Sequence, residues 1–273
     1  MNPMKQLTAA LYLSASVAFL CACEKELEMD YHGTATHYAA EVVLTPDGIS
    51  ATISTTRDMT EADSVSQYVN NAVVTICEEG TEWVDTLVSK GNGRYRLDYF
   101  AMEGLSYTVD ICIDGCHYRA TSTMHSMPVV NSFYFVWQKM FSDRVLFADL
   151  RLQDNPDENN YYFMHVYRNG VGYRWAVLDD TSNPGGELQQ LFSSTTERKM
   201  DKDSDSDVLH EGDRIRLEVR SIDRPVYDFF YSMQLMGNSG TNPVSNFSGG
   251  LLGYFSACQI ERVEILFHRE DIR

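Results

Sequence analysis

Short runs of alternating hydrophobic and polar residues, separated by turn residues, dominate the chain after its first forty positions. Residues 42–44 run into Pro46-Asp47-Gly48, and 49–54 follow, a pattern typical of a β-hairpin. After the polar stretch 55–71, further strand-type runs occupy 72–77, 95–99, 106–113 and 117–123. This density of short strands predicts an N-terminal β-sandwich of immunoglobulin or transthyretin type over residues 38–130.

A second block of strand-type runs follows Met127-Pro128 and predicts a second antiparallel β domain, a sandwich or a barrel, over residues 131–273. Its runs lie at 133–137, 145–153, 161–168, 173–178, 215–222 and 260–268. A short helix is expected around 188–192. After Asp223 the hydrophobic residues change to helical spacing, which predicts another helix with Asp223 as its N-cap and Pro225 in its first turn. The predicted fold class is all-β with one or two short helices.

The N-terminus has the pattern of a secretory signal peptide. One cation, Lys5, precedes an uncharged run over 7–20, which is too short to span a bilayer comfortably as a permanent helix. The run ends in Leu20-Cys21-Ala22-Cys23, which resembles the lipobox of bacterial lipoproteins. That resemblance implies a signal peptide over 1–22 and an acylated Cys23 that anchors the chain in a lipid bilayer. The alternative is an ordinary signal peptide with two incidental cysteines.

Residues 23–37 are predicted to form an acidic tether. A charged stretch after a lipidated cysteine resembles the surface-export signal of Bacteroidetes lipoproteins, and a plain solvated linker is the other interpretation. The acidity is general: 22 Lys and Arg stand against 39 Asp and Glu in 273 residues, a formal net charge of −17. This balance disfavours nucleic acid and anionic lipid surfaces as partners. It does not disfavour an acyl anchor, because acyl chains bind without charge.

Four cysteines remain after the signal region, and they allow three disulfide pairings. They are Cys77, Cys112, Cys116 and Cys258. A two-residue Asp114-Gly115 turn would pair Ile113 with Cys116 and place Cys112 on the opposite face. A three-residue loop would instead set Cys112 opposite Cys116 and permit a bridge. The sequence leaves both open.

The aspartate run at Asp201, Asp203 and Asp205 is the one metal-like segment. Alternating carboxylates suit Ca²⁺, yet the EF-hand pattern fails at its sixth and twelfth positions. A solvated acidic loop is therefore favoured over a calcium site, and no other cofactor is expected.

No catalytic motif is present, and the seven histidines are scattered along the sequence. We therefore expect a protein that is not an enzyme, although paired carboxylates for glycoside hydrolysis need not be close in sequence. Trp83, Trp137 and Trp175 either fill cores or stack on sugar rings, and core packing is the favoured use.

Several segments together resemble one family, the Bacteroidetes outer-membrane lipoproteins of domain-of-unknown-function family 4249. They are Asn159-Asn160-Tyr161-Tyr162-Phe163, Ser221-Ile222-Asp223 with Tyr227-Asp228-Phe229-Phe230, and Ser245-Asn246-Phe247-Ser248-Gly249-Gly250-Leu251-Leu252-Gly253-Tyr254-Phe255. From the residues themselves, the glycines Gly249, Gly250 and Gly253 are expected to provide positive φ or close backbone approach before a strand. Asn246 is expected to bond that turn, and a binding role for this loop, including Phe255, is a secondary interpretation.

The resemblance implies an accessory lipoprotein of a TonB-dependent nutrient uptake system, anchored in the outer membrane and exposed at the cell surface. Its implied partners are a TonB-dependent transporter, the transporter's lid lipoprotein and a glycan or peptide cargo. The first alternative is a fimbrial or pilus-type subunit or a surface adhesin. The second alternative is a surface hydrolase without a recognisable motif.

Overall fold

The computed structural model describes residues 36–57, 67–200, 208–239 and 242–273, without the side chains of 237–239. The signal peptide, Cys23, most of the predicted tether and the calcium candidates Asp201, Asp203 and Asp205 lie outside these ranges. No helix within them is long and apolar enough to cross a membrane.

Sixteen strands and one α-helix make up the described chain, together with two 3-10 turns. The first strands are β1 Tyr38–Thr45, β2 Gly48–Thr55, β3 Val73–Glu78, β4 Val84–Thr86, β5 Val88–Gly91, β6 Arg94–Leu97, β7 Ser106–Ile113 and β8 Cys116–Thr123. Then come β9 Val129–Met140, β10 Asp143–Gln153, β11 Tyr161–Arg168, β12 Val171–Asp179, β13 Glu187–Thr196, β14 Arg214–Ile222, β15 Leu252–Ala257 and β16 Ile260–Leu266. The helix α1 is Arg224–Ser239, and the 3-10 turns are Glu197–Lys199 and Arg269–Asp271. The predicted all-β class is confirmed.

Four sheets organise these strands. Sheet I has the order β15-β1-β2-β6-β5 and sheet II the order β4-β3-β7-β8. Sheet III has the order β13-β10-β9 and sheet IV the order β12-β11-β14-β16. Alternating residues of sheets I and II fill one hydrophobic core, with Ile53, Ile76 and Ile111 fully buried. Sheets III and IV share a second core that includes Leu150, Met164 and Leu217. Both halves therefore bury one face of each sheet, as in β-sandwiches.

One strand from the C-terminal part of the chain, β15, belongs to sheet I of the first sandwich. Strand β15 lies parallel to β1, with Ala39 opposite Leu252 and Leu44 opposite Ala257. The other ladders of the described strands are antiparallel. Sheet I is therefore completed by residues from the far end of the sequence.

The helix begins where the sequence predicts. The carboxylate of Asp223 accepts the amide of Val226 at 3.2 Å, and the Asp223 carbonyl accepts the amide of Tyr227 at 3.0 Å. The first bond satisfies an N–H group that the first helical turn leaves without a partner, and the second is the first backbone hydrogen bond of the helix. Helical spacing then buries Val226, Phe229 and Phe230 in a third cluster, between α1, sheet IV and β15.

The prediction of a helix around 188–192 is wrong, because this segment belongs to β13. Leu188 and Phe192 are buried while Gln189 is exposed, and Leu188 pairs with Leu152 of β10. A separation of four residues places two side chains on one face of a helix or of a strand alike. The segment is a strand because its backbone pairs with the edge of β10.

The turn between β7 and β8 has two residues. Ile113 pairs with Cys116, and Asp114 and Gly115 take positive φ values of 52° and 80°. This is the first of the two arrangements that the sequence allows. Asp-Gly is a preferred sequence for a two-residue hairpin turn in which both residues have positive φ. Cys77, Cys112, Cys116 and Cys258 are free thiols in the described chain.

Candidate functional site

The residues of the Asn246–Phe255 segment come together at the joint between β15 and β1. Asn246 donates its Nδ2 to the carbonyl of Phe255 at 2.8 Å and accepts the Phe255 amide on Oδ1 at 2.9 Å. Phe255 itself is fully buried in the core between sheets I and II. The asparagine therefore holds the strand β15 in place, rather than bonding only the turn before it.

The three glycines of this segment all have positive φ. Gly249, Gly250 and Gly253 have values of 76°, 84° and 104°. A Cβ on Gly253 would lie 1.9 Å from the carbonyl oxygen of Ala40, so only glycine permits the close approach of β15 to β1. A Cβ on Gly250 would meet open space. The motif thus has a structural role at a strand junction.

A second feature, which we call the helix-flanked groove, lies on the outer face of sheet IV beside α1. It encloses about 330 Å³, within the size range of small-molecule sites. Its lining comes from β1, β11, β12, β14, β15 and α1. The lining residues are Glu41, Phe163, His165, Tyr167, Trp175, Arg220, Phe230, Met233 and Tyr254.

Strand alternation builds the aromatic side of this groove. On β11, Tyr162, Met164 and Val166 enter the core between sheets III and IV. The residues between them, Phe163, His165 and Tyr167, therefore lie on the outer face of the sheet.

The helix covers only one end of that aromatic row. Phe230 of α1 stacks on Phe163 with ring centroids 4.2 Å apart. Beyond this contact His165 stacks on Tyr167 at 4.0 Å, and Trp175 of β12 lies opposite His165 in the strand register. A Cβ on Gly172 would lie 2.9 Å from His165 Nε2, so the glycine makes room for the imidazole.

Charged residues of β14 and β16 form the other side. Glu218 is buried and is surrounded by three arginines: Arg262 Nε lies 3.2 Å from its Oε1, Arg220 Nη2 3.3 Å from Oε2, and Arg216 Nε 3.7 Å from Oε1. Burial opposes ionisation of Glu218, but the hydrogen bond from Arg262 and the charge of Arg220 outweigh it and lower its pKa. Glu218 is consequently an ionised anchor for the arginines.

The arginines in turn lie over aromatic rings. The Arg216 guanidinium carbon is 4.5 Å from the Tyr167 ring centroid, and that of Arg220 is 5.5 Å from the Phe163 centroid. These distances are within the range of cation–π contacts. Burial, followed by the charge of Arg220, lowers the pKa of His165, which keeps the imidazole neutral near neutral pH.

One donor in the groove is unused. The Nε of Arg220 is buried and has no hydrogen-bond partner within the described structure. The guanidinium carries five donor hydrogens in a fixed plane, and this one is left to donate to any acceptor that comes within hydrogen-bond distance.

The described lining of the groove combines six rings with one arginine, one methionine and one carboxylate. Among its described lining residues there is no serine, threonine, cysteine or lysine nucleophile. Its neighbouring carboxylate, Glu218, is held ionised by arginines, which does not suit a general acid. No group of three or more His, Cys, Asp or Glu side chains in the described ranges is placed to hold a metal ion.

The three tryptophans have different surroundings. Trp83 stacks on Tyr99 at 4.2 Å against the first core, and Trp137 lies 5.4 Å from the Arg144 guanidinium on sheet III. All three pack against a hydrophobic cluster, as the favoured core use predicts, and Trp175 lines the groove as well.

Sequence reasoning missed most of the groove. One signal for it is present: Arg216, Glu218 and Arg220 alternate on β14, which puts three charged side chains on one face of a strand. The alternation of Phe163, His165 and Tyr167 on β11 is the matching aromatic signal. The aromatic signal was hidden because apolar residues occupy the opposite face of β11 as well. The charged signal identifies an outer face of β14 but does not show that a groove lies beside it.

Comparison with known proteins gives one positive result. A family model described as a domain of unknown function, DUF4249, matches residues 28–263. The match covers most of the chain, including β15 and the whole lining of the groove. No curated protein matches the sequence.

Proposed function

This chain belongs to the DUF4249 family, and from that membership and the groove we propose that it is a non-catalytic cargo-binding lipoprotein. In this proposal the acylated Cys23 anchors it in the outer membrane at the cell surface. There it serves a TonB-dependent transporter and the transporter's lid lipoprotein as an accessory subunit, with a glycan or peptide as cargo.

The helix-flanked groove is the observation that carries the binding role. It combines aromatic faces with a free arginine donor on a sheet that is buried on its other side. Rigid strands hold such side chains in fixed positions, so little ordering entropy is lost on binding. The groove's chemistry supports capture of a ligand more than its conversion.

The N-terminal sequence supports the anchor. Two or three acyl chains on one cysteine give stable attachment, whereas one chain is marginal. The test is membrane fractionation of the wild-type protein and the Cys23→Ser variant. We expect the wild type in the outer-membrane fraction and the variant in the soluble fraction. Equal membrane attachment of both would refute acylation at Cys23.

The partnership with a transporter is tested by affinity capture from detergent-solubilised outer membranes of cells that make the tagged full-length protein. An unrelated outer-membrane lipoprotein with the same tag is the control. Specific recovery of a TonB-dependent barrel is the expected result. Recovery of no transporter would count against the accessory role, and recovery in sheared filaments would favour a fimbrial subunit.

The fimbrial alternative has weaker support. Polymerising pilins leave a groove in their sheet for a strand donated by the next subunit. Here the edge of β1 is already occupied by the chain's own β15.

A further inference from the structure

We propose that the helix-flanked groove recognises a carboxylate attached to a ring, with Arg220 as the residue that selects the carboxylate. This inference rests on the proposed cargo-binding function and narrows the class of cargo. It comes from the unpaired Nε of Arg220 and from the rings that surround it.

Arg220 is positioned to bind an acceptor from the groove. Its side chain is only 17% exposed, and its Nη2 is already engaged by Glu218 at 3.3 Å. The remaining buried Nε–H has no partner among the described residues. Leaving a charged donor unpaired in a buried position is costly, so a ligand acceptor that reaches it gains affinity.

The acceptor is expected to be anionic. Glu218 compensates one positive charge, while Arg216, Arg220 and Arg262 bring three to its immediate surroundings. Glu41 also lines the groove, and Glu264 lies opposite Arg216 in the register of β14 and β16. With Glu218, these carboxylates equal the three guanidinium groups in number. The preference for an anionic acceptor therefore comes from a charge-assisted hydrogen bond to Arg220 itself, and not from a net positive charge around it.

The aromatic lining requires the rest of the ligand to have a ring face. Trp175 lines the wall of the groove, and the neutral His165 lies opposite it in the strand register, with one ring face already stacked on Tyr167. An indole face of this kind binds the apolar side of a sugar or an aromatic ring by stacking. A carboxylate on a ring occurs in acidic sugars and in aromatic acids, and both share the chemistry proposed here.

Calorimetric titration of the full-length protein in detergent tests the proposal with two matched pairs of ligands. One pair is a galacturonic acid trimer and a neutral galactose trimer, and the other is indole-3-acetate and the neutral indole-3-acetamide. We expect at least one acid to bind about tenfold or more tightly than its neutral counterpart, as for a charge-assisted hydrogen bond. The acid that binds identifies the source of the ring.

Variants assign the selectivity to Arg220. Arg220→Lys keeps the charge but loses the Nε–H, and Arg220→Met loses both, so we expect about tenfold weaker acid binding and no selective binding, respectively. Trp175→Leu should weaken binding of acid and neutral ligand together. Arg144→Gln is the matched control, because Arg144, like Arg220, lies over an aromatic ring and pairs with a glutamate, but does so outside the groove, with Trp137 and Glu197.

The outcomes separate the inference from the function on which it rests. Equal binding of acids and neutral ligands, unchanged acid binding in Arg220→Lys, or no binding of any of the four ligands would each overturn it. Capture of the transporter does not involve these ligands, so the accessory role stands or fails by that separate experiment. Circular dichroism of Arg220→Lys verifies that a loss of binding is not a loss of fold.

Discussion

Asn246 and Phe255 are joined by two hydrogen bonds, in which one side-chain amide satisfies both the N–H and the C=O of a buried residue. Replacing Asn246 by alanine leaves both groups without partners next to the first core. We expect the free energy of unfolding to fall by about 3 kcal/mol in Asn246→Ala, measured by urea denaturation.

The control for this change is Asn131→Ala. Asn131 also donates its Nδ2 to a partner, Glu187 Oε2 at 3.1 Å, but it does so on the exposed surface. Its loss is expected to cost less than about 0.5 kcal/mol. Equal effects of the two substitutions would contradict the role given to Asn246.

Two glycines of the same segment should respond differently to alanine. In Gly253→Ala the new methyl group collides with the Ala40 carbonyl at a positive φ, and we expect a loss of at least about 3 kcal/mol. Gly250→Ala meets open space at a similar φ and should cost about 1 kcal/mol. Thermal unfolding of both variants checks the order, and a reversed order would refute the close packing of β15 on β1.

Asp213 should contribute to stability only when it is ionised. Burial opposes its ionisation, but the amide of His210 at 2.8 Å, the Asn169 side chain at 2.7 Å and Arg168 at 2.6 Å outweigh it and lower the pKa of Asp213. A lowered folded-state pKa stabilises the fold above the unfolded pKa of about 4, and this stability is lost as the pH falls below it.

The variant Asp213→Asn checks this sign. At pH 7 we expect it to be about 2 kcal/mol less stable than the wild type, and the difference should shrink between about pH 4 and pH 2. Asp98→Asn, at a side chain that is 84% exposed, should show a small effect throughout. A difference that stays constant from pH 7 to pH 2 would contradict the linkage.

The four thiols of the described chain should differ in reactivity. Cys116 is exposed at the β7–β8 turn, whereas Cys258 is buried and burial raises its pKa. We expect a maleimide reagent to label Cys116 quickly in the native protein and Cys258 only after unfolding. Peptide mass spectrometry after timed labelling gives the order, and early labelling of Cys258 would contradict its buried position.

Much of the fold follows from local alternation, and the exceptions have identifiable causes. The expected strands at 106–113 and 161–168 agree with β7 and β11 in both bounds, because regular alternation continues to their ends. Strands β4 and β5 are short and wholly exposed, so they have no hydrophobic pattern to detect. A strand was expected after the glycines that precede β15, but its parallel pairing with β1 was not, since that pairing depends on distant residues.

The groove was less accessible to prediction than the motif glycines. Positive φ at Gly249, Gly250 and Gly253 follows from residue type and local context. The groove exists because α1 covers only part of β11. The covered part is set by the stacking of Phe230 on Phe163, a tertiary contact that the sequence does not show. A single sequence shows that Arg220 is on a strand but not that its Nε lacks a partner.

The placement of β15 also sets when the protein is able to fold. Its partner β1 lies near the start of the described chain, so sheet I keeps an unpaired edge until the last few dozen residues have arrived. Contacts between such distant segments form slowly because a long loop must close first. A chain interrupted before Leu252 would thus stay incomplete in its earliest-made half, and complete folding would wait until nearly the whole polypeptide had been delivered.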